Sequence, residues 1–183
     1  DGTSGVGSFT GILNNANVNT VTMTGTTFAS LDADDLIDMQ DATPQGALAN
    51  GKYYMHRSIQ SLIRKLKDAE SGLYIYQAPS AAAPATIWGA PVVLSEAMPA
   101  LSDTDDDTPF IIFGDLRKAA WLGVRGGLRV SLSNEATVRN TAGNADIDLF
   151  RQDMTALRVV ERVGFAVVVP KAVTVLFTAA VSA

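Results

Sequence analysis

Cysteine is absent from the 183 residues. That excludes disulfides, thiolate metal sites and cysteine nucleophiles. Histidine occurs once, at His56, so a histidine-rich metal centre cannot be assembled. Aromatic residues make up only 7% of the chain. No long apolar run exists either. The most apolar stretch, 163–180, is interrupted by Pro170 and Lys171 and is rich in β-branched residues. Two buried strands fit it better than a membrane helix, which needs about 20 uninterrupted apolar residues, and no membrane association is expected. The chain starts at Asp1 without a basic segment followed by an apolar one. It therefore reads as a processed product or a fragment with no secretory signal. No internal repeat is visible.

What is present is an ordinary globular composition, 47% hydrophobic and 18% charged, sufficient for a real core in one domain, or one domain plus an extension. Charge is unevenly divided. Residues 1–115 carry 5 basic and 14 acidic side chains, and residues 116–183 carry 9 and 5, for nets of −9 and +4. Either this reflects solvated faces alone, or the subunit has an acidic face that docks on a neighbour's basic face.

Residues 1–11 are rich in Gly, Ser and Thr and read as a loop. Gly2, Gly5 and Gly7 suggest a phosphate loop, but no strand precedes them and no Gly-Lys-Ser/Thr follows. Residues 18–28 form a weak strand. A short helix is expected over 32–41, capped by Ser30 or Asp32, with Leu36, Ile37 and Met39 inward. A Tyr-rich strand over 52–56 leads to a helix capped by Ser58. Ile59, Leu62, Ile63 and Leu66 share one face of it, and Gly72 stops it. Short strands are expected at 73–77, 86–88, 92–94, 110–113, 119–124 and 128–132, the last two split at Gly126-Gly127 by a turn or bulge. Trp88 should be mostly buried. Residues 134–149 read as a long loop. From 155 to 169, apolar residues recur at period two with Arg158 and Arg162 on the other face, so one strand of about 15 residues is expected, beyond the usual length. Pro170 ends it, and 172–177 is a fully buried strand. Helices and strands without regular βαβ alternation indicate an α+β fold.

Three constellations bear on chemistry. His56 and Ser58 could begin a serine-hydrolase triad, but no Gly-x-Ser-x-Gly elbow accompanies them, and a structural histidine beside a capping serine is the simpler reading. Asp103, Asp105 and Asp107 have the alternation of a calcium loop. Thr108 and Gly114 then occupy the positions that require glycine and a bidentate glutamate, leaving a solvated hairpin tip with at most weak divalent-ion binding. Arg117, Lys118, Arg125 and Arg129 form a basic run with only Trp121 nearby. That suits subunit pairing or non-specific contact with a packaged genome better than base reading. No catalytic residue and no cofactor emerges.

Several segments in order resemble the tailed-bacteriophage major capsid protein family with the Hong Kong phage-type fold. They are Trp88-Gly89-Ala90-Pro91-Val92-Val93 running to Met98-Pro99, then Phe113-Gly114-Asp115, then Val124 to Val130. Arg158, Arg162, Val163-Gly164-Phe165 and Pro170-Lys171-Ala172 close the series, and Asp1-Gly2-Thr3 with Gly11-Ile12-Leu13 opens it. The resemblance implies a structural, non-enzymatic subunit of an icosahedral phage head, assembled in a bacterial cytoplasm from pentamers and hexamers of itself around DNA. It implies an entry loop at 1–17, an axial A domain at 18–124 and 171–183 with a mixed sheet and short helices, and a long-stranded peripheral P-domain part at 125–170. The loop 134–149 would lie at the tip of that part. The family's N-terminal arm, spine helix and E-loop have no counterpart, so the chain resembles a C-terminal portion, expected alone to be a monomer or small oligomer. Arg139, Arg151, Arg158 and Arg162 would face neighbours. Some relatives crosslink covalently; here Asp153 and Val160 stand at the crosslink-equivalent asparagine and glutamate positions and would be inactive, although Glu161 is adjacent to Val160. An encapsulin-like compartment, which shares the fold, is the alternative within it, and a small hydrolase using Ser58 and His56 the alternative outside it.

Overall fold

The computed structural model describes residues 9–67, 86–103, 106–138 and 147–180. Gly2, Gly5, Gly7, Gly72, Asp105, Arg139 and the expected strand at 73–77 lie outside those residues. The chain divides into two compact units. Unit 1 comprises Asp1–Trp121 and Ala166–Ala183, and unit 2 comprises Leu122–Phe165.

Unit 1 is built on a six-stranded mixed sheet. Its strands are β1 (Asn19–Thr22), β2 (Lys52–Met55), β3 (Thr86–Ile87), β4 (Ala90–Leu94), β5 (Pro109–Gly114) and, last in the chain, a strand at Val173–Phe177 labelled β10 below. The spatial order is β1-β10-β5-β2-β4-β3. β1 pairs with β10, and β2 with β4, in parallel; the other neighbours are antiparallel. Helices α1 (Ala33–Asp41), α2 (Gln45–Leu48), α3 (Arg57–Ile63) and α4 (Leu116–Ala119) join them. Long strands β6 (Ala120–Ser133) and β9 (Ala156–Val167) run into and out of unit 2, which also holds β7 (Thr137–Val138) and β8 (Ile147–Asp148).

Period-two alternation on β5 and β10 sends apolar side chains to both faces of the sheet. Phe110, Ile111, Phe113 and Leu176 join Leu36, Met39, Tyr53 and Ile59 in one core cluster. Ile112, Val173 and Val175 join Val18, Ala47 and Met98 in another. Tyr53 and Phe113 stack at 4.5 Å. The Tyr53 hydroxyl donates to Leu36 O at 3.1 Å and accepts from Gln40 at 3.0 Å. Burial pushes its pKa up to about 12, against a small lowering from Gln40. A buried hydroxyl pair, Thr43 with Thr174 at 2.7 Å, ties the end of α1 to β10. Gly114 is required: at φ 141° an added Cβ would lie 2.3 Å from Ala172 O.

Asp32 caps α1 through a full capping box with Asp35. The carboxyl of Asp35 is raised above its ordinary range, first by burial and then by the charges of Asp32, Asp38 and Asp34. Several sequence expectations change. Ile37 is 41% exposed, because the buried stripe of α1 runs through Leu36 and Met39, and Ile37 sits about 100° away on the helix. His56, not Ser58, caps α3: its ring accepts the Ser58 N–H. That helix ends at Ile63, beyond which Lys65 and Leu66 bond three residues back, to Leu62 O and Ile63 O. Ile59 and Ile63 are buried, and Leu62 and Leu66 pack partly against the core. Trp88 is 42% exposed, not buried. It and Gly89 take φ of 44° and 81° as the two-residue turn joining β3 to β4, a hairpin tip that directs its side chain outward. Gly126 and Gly127 do not split two strands: at φ 77° and 62° they lie within the continuous 14-residue β6. The region 134–149 is not wholly loop, since β7 and β8 pair there. The expected long strand is β9, at 12 residues.

Candidate assembly surface

Within unit 2, β6 and β9 pair as a two-stranded ribbon. Alternation gives its two faces opposite chemistry. One face carries Leu122, Val124, Leu128, Val130 and Leu132 from β6 and Leu157, Val159 and Val163 from β9, all exposed, with Leu132 at 71%. Glu161 is the only charged side chain with that strand parity on β9. The other face holds a cleft of about 330 Å³ lined by Arg125, Arg129, Arg158 and Arg162, with Val160 and Ser131. On β9 the i, i+4 spacing puts Arg158 and Arg162 on one side of the pleat; on β6, where Gly126 and Gly127 interrupt the extended backbone, Arg125 and Arg129 both still line the cleft. Of the arginines expected to face neighbours, Arg158 and Arg162 thus come together, and Arg125 and Arg129 join them from the basic run. Arg151 is exposed in the turn before β9 and does not line the cleft.

Asp153, at φ 49°, is exposed ahead of β9. Val160 faces the arginine cleft, so strand alternation sends Glu161 to the opposite face.

In unit 1, the His56 ring bridges three segments. Its Nδ1 lies 2.7 Å from Ser58 Oγ and its Nε2 lies 3.0 Å from Glu96. Ser58 Oγ also accepts from Leu101 N at 2.9 Å. Ser–His–Glu is a triad-like trio that sequence spacing could not show, because Glu96 is 40 residues away. Its geometry is that of a staple. The Nδ1 lone pair is shared by the Ser58 amide and hydroxyl, Ser58 Oγ is occupied by Leu101 N–H, and the Glu96 carboxylate is 88% exposed. A working triad instead keeps the carboxylate buried and the nucleophile open to substrate. Asp103 accepts from Ala100 N at 2.8 Å, and among the described residues no group of three His, Asp or Glu could hold a metal ion. A second cleft, of about 380 Å³, is lined by Lys52, Tyr54, Asp115 and Arg117 among others. Its buried Asp115 accepts from Arg117 N and lies 3.8 Å from Lys118 Nζ. Among the described residues no helix is long and apolar enough to cross a membrane.

The sequence profile of the phage capsid family matches residues 1–177. The chain belongs to the phage capsid family. Solved structures agree in fold. The capsid of a native GTA particle is 26% identical, with a TM-score of 0.68 over 96% of this chain and 58% of its own. The Gordonia phage Cozz structure is 18% identical, with a TM-score of 0.56 over 94% of this chain and 53% of its own. The holo-SrpI encapsulin complex from Synechococcus elongatus PCC 7942 is 17% identical, with a TM-score of 0.53 over 91% of this chain and 55% of its own. This phage capsid family chain therefore spans a little over half the length of these relatives. No curated protein matches it. The α+β class and the capsid-type fold expected from the sequence stand; the mixed sheet with few short helices is that of these relatives.

Proposed function

We propose that the chain is part of a major capsid protein that assembles with copies of itself into the icosahedral head shell of a phage or phage-like particle. Its role is structural and not catalytic, and its place is the virion. The observation that carries this reading is the ribbon of unit 2. Its apolar face is long, continuous and exposed, and a surface of that kind marks a protein–protein contact. In this reading unit 1 is the axial A domain and unit 2 the peripheral P domain. The division of the chain at 121/122 and 165/166 into two compact units supports this assignment. Arg151, Arg158 and Arg162 face neighbouring subunits, with Arg139 assigned by sequence alone. The covalent crosslink is absent: an ionised Asp153 is a poor electrophile, Val160 accepts no proton, and Glu161 is on the wrong face to replace it. DNA is touched without sequence preference, and no cofactor takes part.

The test is electron microscopy of particles formed by the complete protein expressed with its protease or scaffold. Closed shells containing DNA are expected. Shells filled with protein cargo would instead favour the encapsulin-like alternative, whose support is the shared fold. Boiled in detergent and run on a denaturing gel, mature particles should give a single monomer band; a ladder would overturn the crosslink reading. The 183 residues alone are expected to stay monomeric or form small oligomers. A hydrolytic activity abolished by His56→Ala would overturn the structural role.

A further inference from the structure

Among the described residues no acidic side chain lines the four-arginine cleft, and none of the four enters an ion pair. Each strand contributes two arginines, and on β6 the Arg129 guanidinium lies over Gly126, its Nη2 3.7 Å from where a Cβ would stand. Like charges gathered this closely repel unless an anion joins them. The guanidinium fork, with its planar set of donors, fits carboxylates in pairs.

A matching surface exists on the same chain. Asp34, Asp38 and Asp41 are exposed on α1 at i, i+4 and i+7, a single stripe about 10 Å long. No ion pair among the described residues holds them. Asp41 lies in the last turn of α1, which has no basic residue, where the negative end of the helix dipole opposes it. The stripe and the cleft are complementary in sign, and among the described residues neither has an ion-pair partner. Phosphate would also suit the guanidinium groups, but the chain as a whole is acidic, at −5, which disfavours a nucleic acid as the main occupant.

We infer that the four-arginine cleft of unit 2 receives the α1 carboxylates Asp34, Asp38 and Asp41 of a second copy of this chain. This rests on the shell reading above and names the contact that would hold two subunits in register. The contact is electrostatic, so it weakens as salt rises and screening shortens its reach.

A charge exchange in the complete, assembling protein tests it. Arg158→Glu with Arg162→Glu should raise the protein concentration needed for assembly by about tenfold or more. Asp38→Arg with Asp41→Arg should do the same. The two sets combined should restore assembly toward the wild-type concentration. Thermal unfolding of each unassembled variant checks that it is folded. If the reversal disturbs the ribbon, Arg125→Gln with Arg129→Gln on the other strand gives an independent reading with the same expected direction. Unchanged assembly after either arginine change, or no restoration in the combined variant, overturns the inference while leaving the shell reading intact. So does normal assembly with loss of bound DNA, which would assign the cleft to nucleic acid. Failure of the wild-type protein to form particles removes the shell reading itself, and the inference with it.

Discussion

In unit 1 the apolar side chains of β5 and β10 are covered on both faces of the sheet, whereas in unit 2 those of β6 and β9 stand in solvent. Both units use long runs of β-branched and aliphatic residues, so composition does not distinguish them. What differs is the cover. Unit 1 supplies its own, from α1, α3 and the segments around Phe28 and Met98. In unit 2, Leu149 is the single buried hydrophobic side chain among the described residues. A two-stranded ribbon is marginal alone in water. One chain thus joins a fold that covers its own core to a ribbon whose apolar face its described residues leave open; under the shell reading proposed above, neighbouring subunits cover it.

The sharpest way to break this comparison is to truncate one side chain in each unit. Phe113→Ala should cost about 3–5 kcal/mol, because it removes a fully buried ring and leaves a cavity. Urea denaturation of the isolated chain measures it. A cost below about 1 kcal/mol would mean that the unit 1 sheet is not the stable body described.

A pH scan separates the units next. Tyr53 belongs to the unit 1 core, and its pKa is pushed up to about 12 in the fold. The unfolded chain ionises this group first, near pH 10, so folding stability should fall as pH rises from about 10 to 12, by on the order of 2 kcal/mol from this residue. Below pH 10 the residue adds no slope. Tyr53→Phe should flatten the decline over that window, and thermal melts in alkaline buffers read it directly. A decline equally steep in the variant would place its cause elsewhere.

Smaller still is the cap of α1. Asp32→Ala removes one side of the capping box and should cost about 1 kcal/mol, seen as a lower denaturation midpoint at unchanged slope. Smallest is Leu128→Ala in unit 2. In the unassembled chain it should change stability by less than about 0.5 kcal/mol, as expected of an exposed side chain, while reducing particle yield in the complete protein. A cost in the isolated chain comparable to that of Phe113→Ala would show that the ribbon is already covered without neighbours, and the contrast between the units would collapse.

Much of this was legible in the residues. The alternation from Leu157 onward announced β9, and Pro170 its end, because a period of two over a dozen residues has one structural meaning. The buried β10 could be read from a short, unbroken apolar run. The errors arose where a local signal has two readings. Ser58 is a good cap residue, yet the ring of His56, two residues earlier, reaches the same amide. Ile37 and Leu36 are equally apolar, and only the partners of α1 decide which faces inward. Trp88 looked like core by its size, but hairpin geometry overrides size. Two glycines in a row suggest a turn, while a long strand can absorb them. At the candidate surface, Arg158 and Arg162 were readable as a pair by spacing. Their meeting with Arg125 and Arg129 depends on how β9 pairs with β6 across about 30 residues of chain, which no local pattern states.

The position of β10 also governs when the molecule can become itself. This strand lies between β1 and β5, so β1, made about 150 residues earlier, has its sheet partner only when residues 173–177 emerge. Roughly sixty residues separate the end of β5 from that moment, several seconds of synthesis at about 5–20 residues per second. Throughout that interval the edge of β5 that β10 will cover is on offer to other nascent chains. A chaperone that shields that edge during translation would therefore change the yield of soluble subunit without altering a single contact in the finished fold.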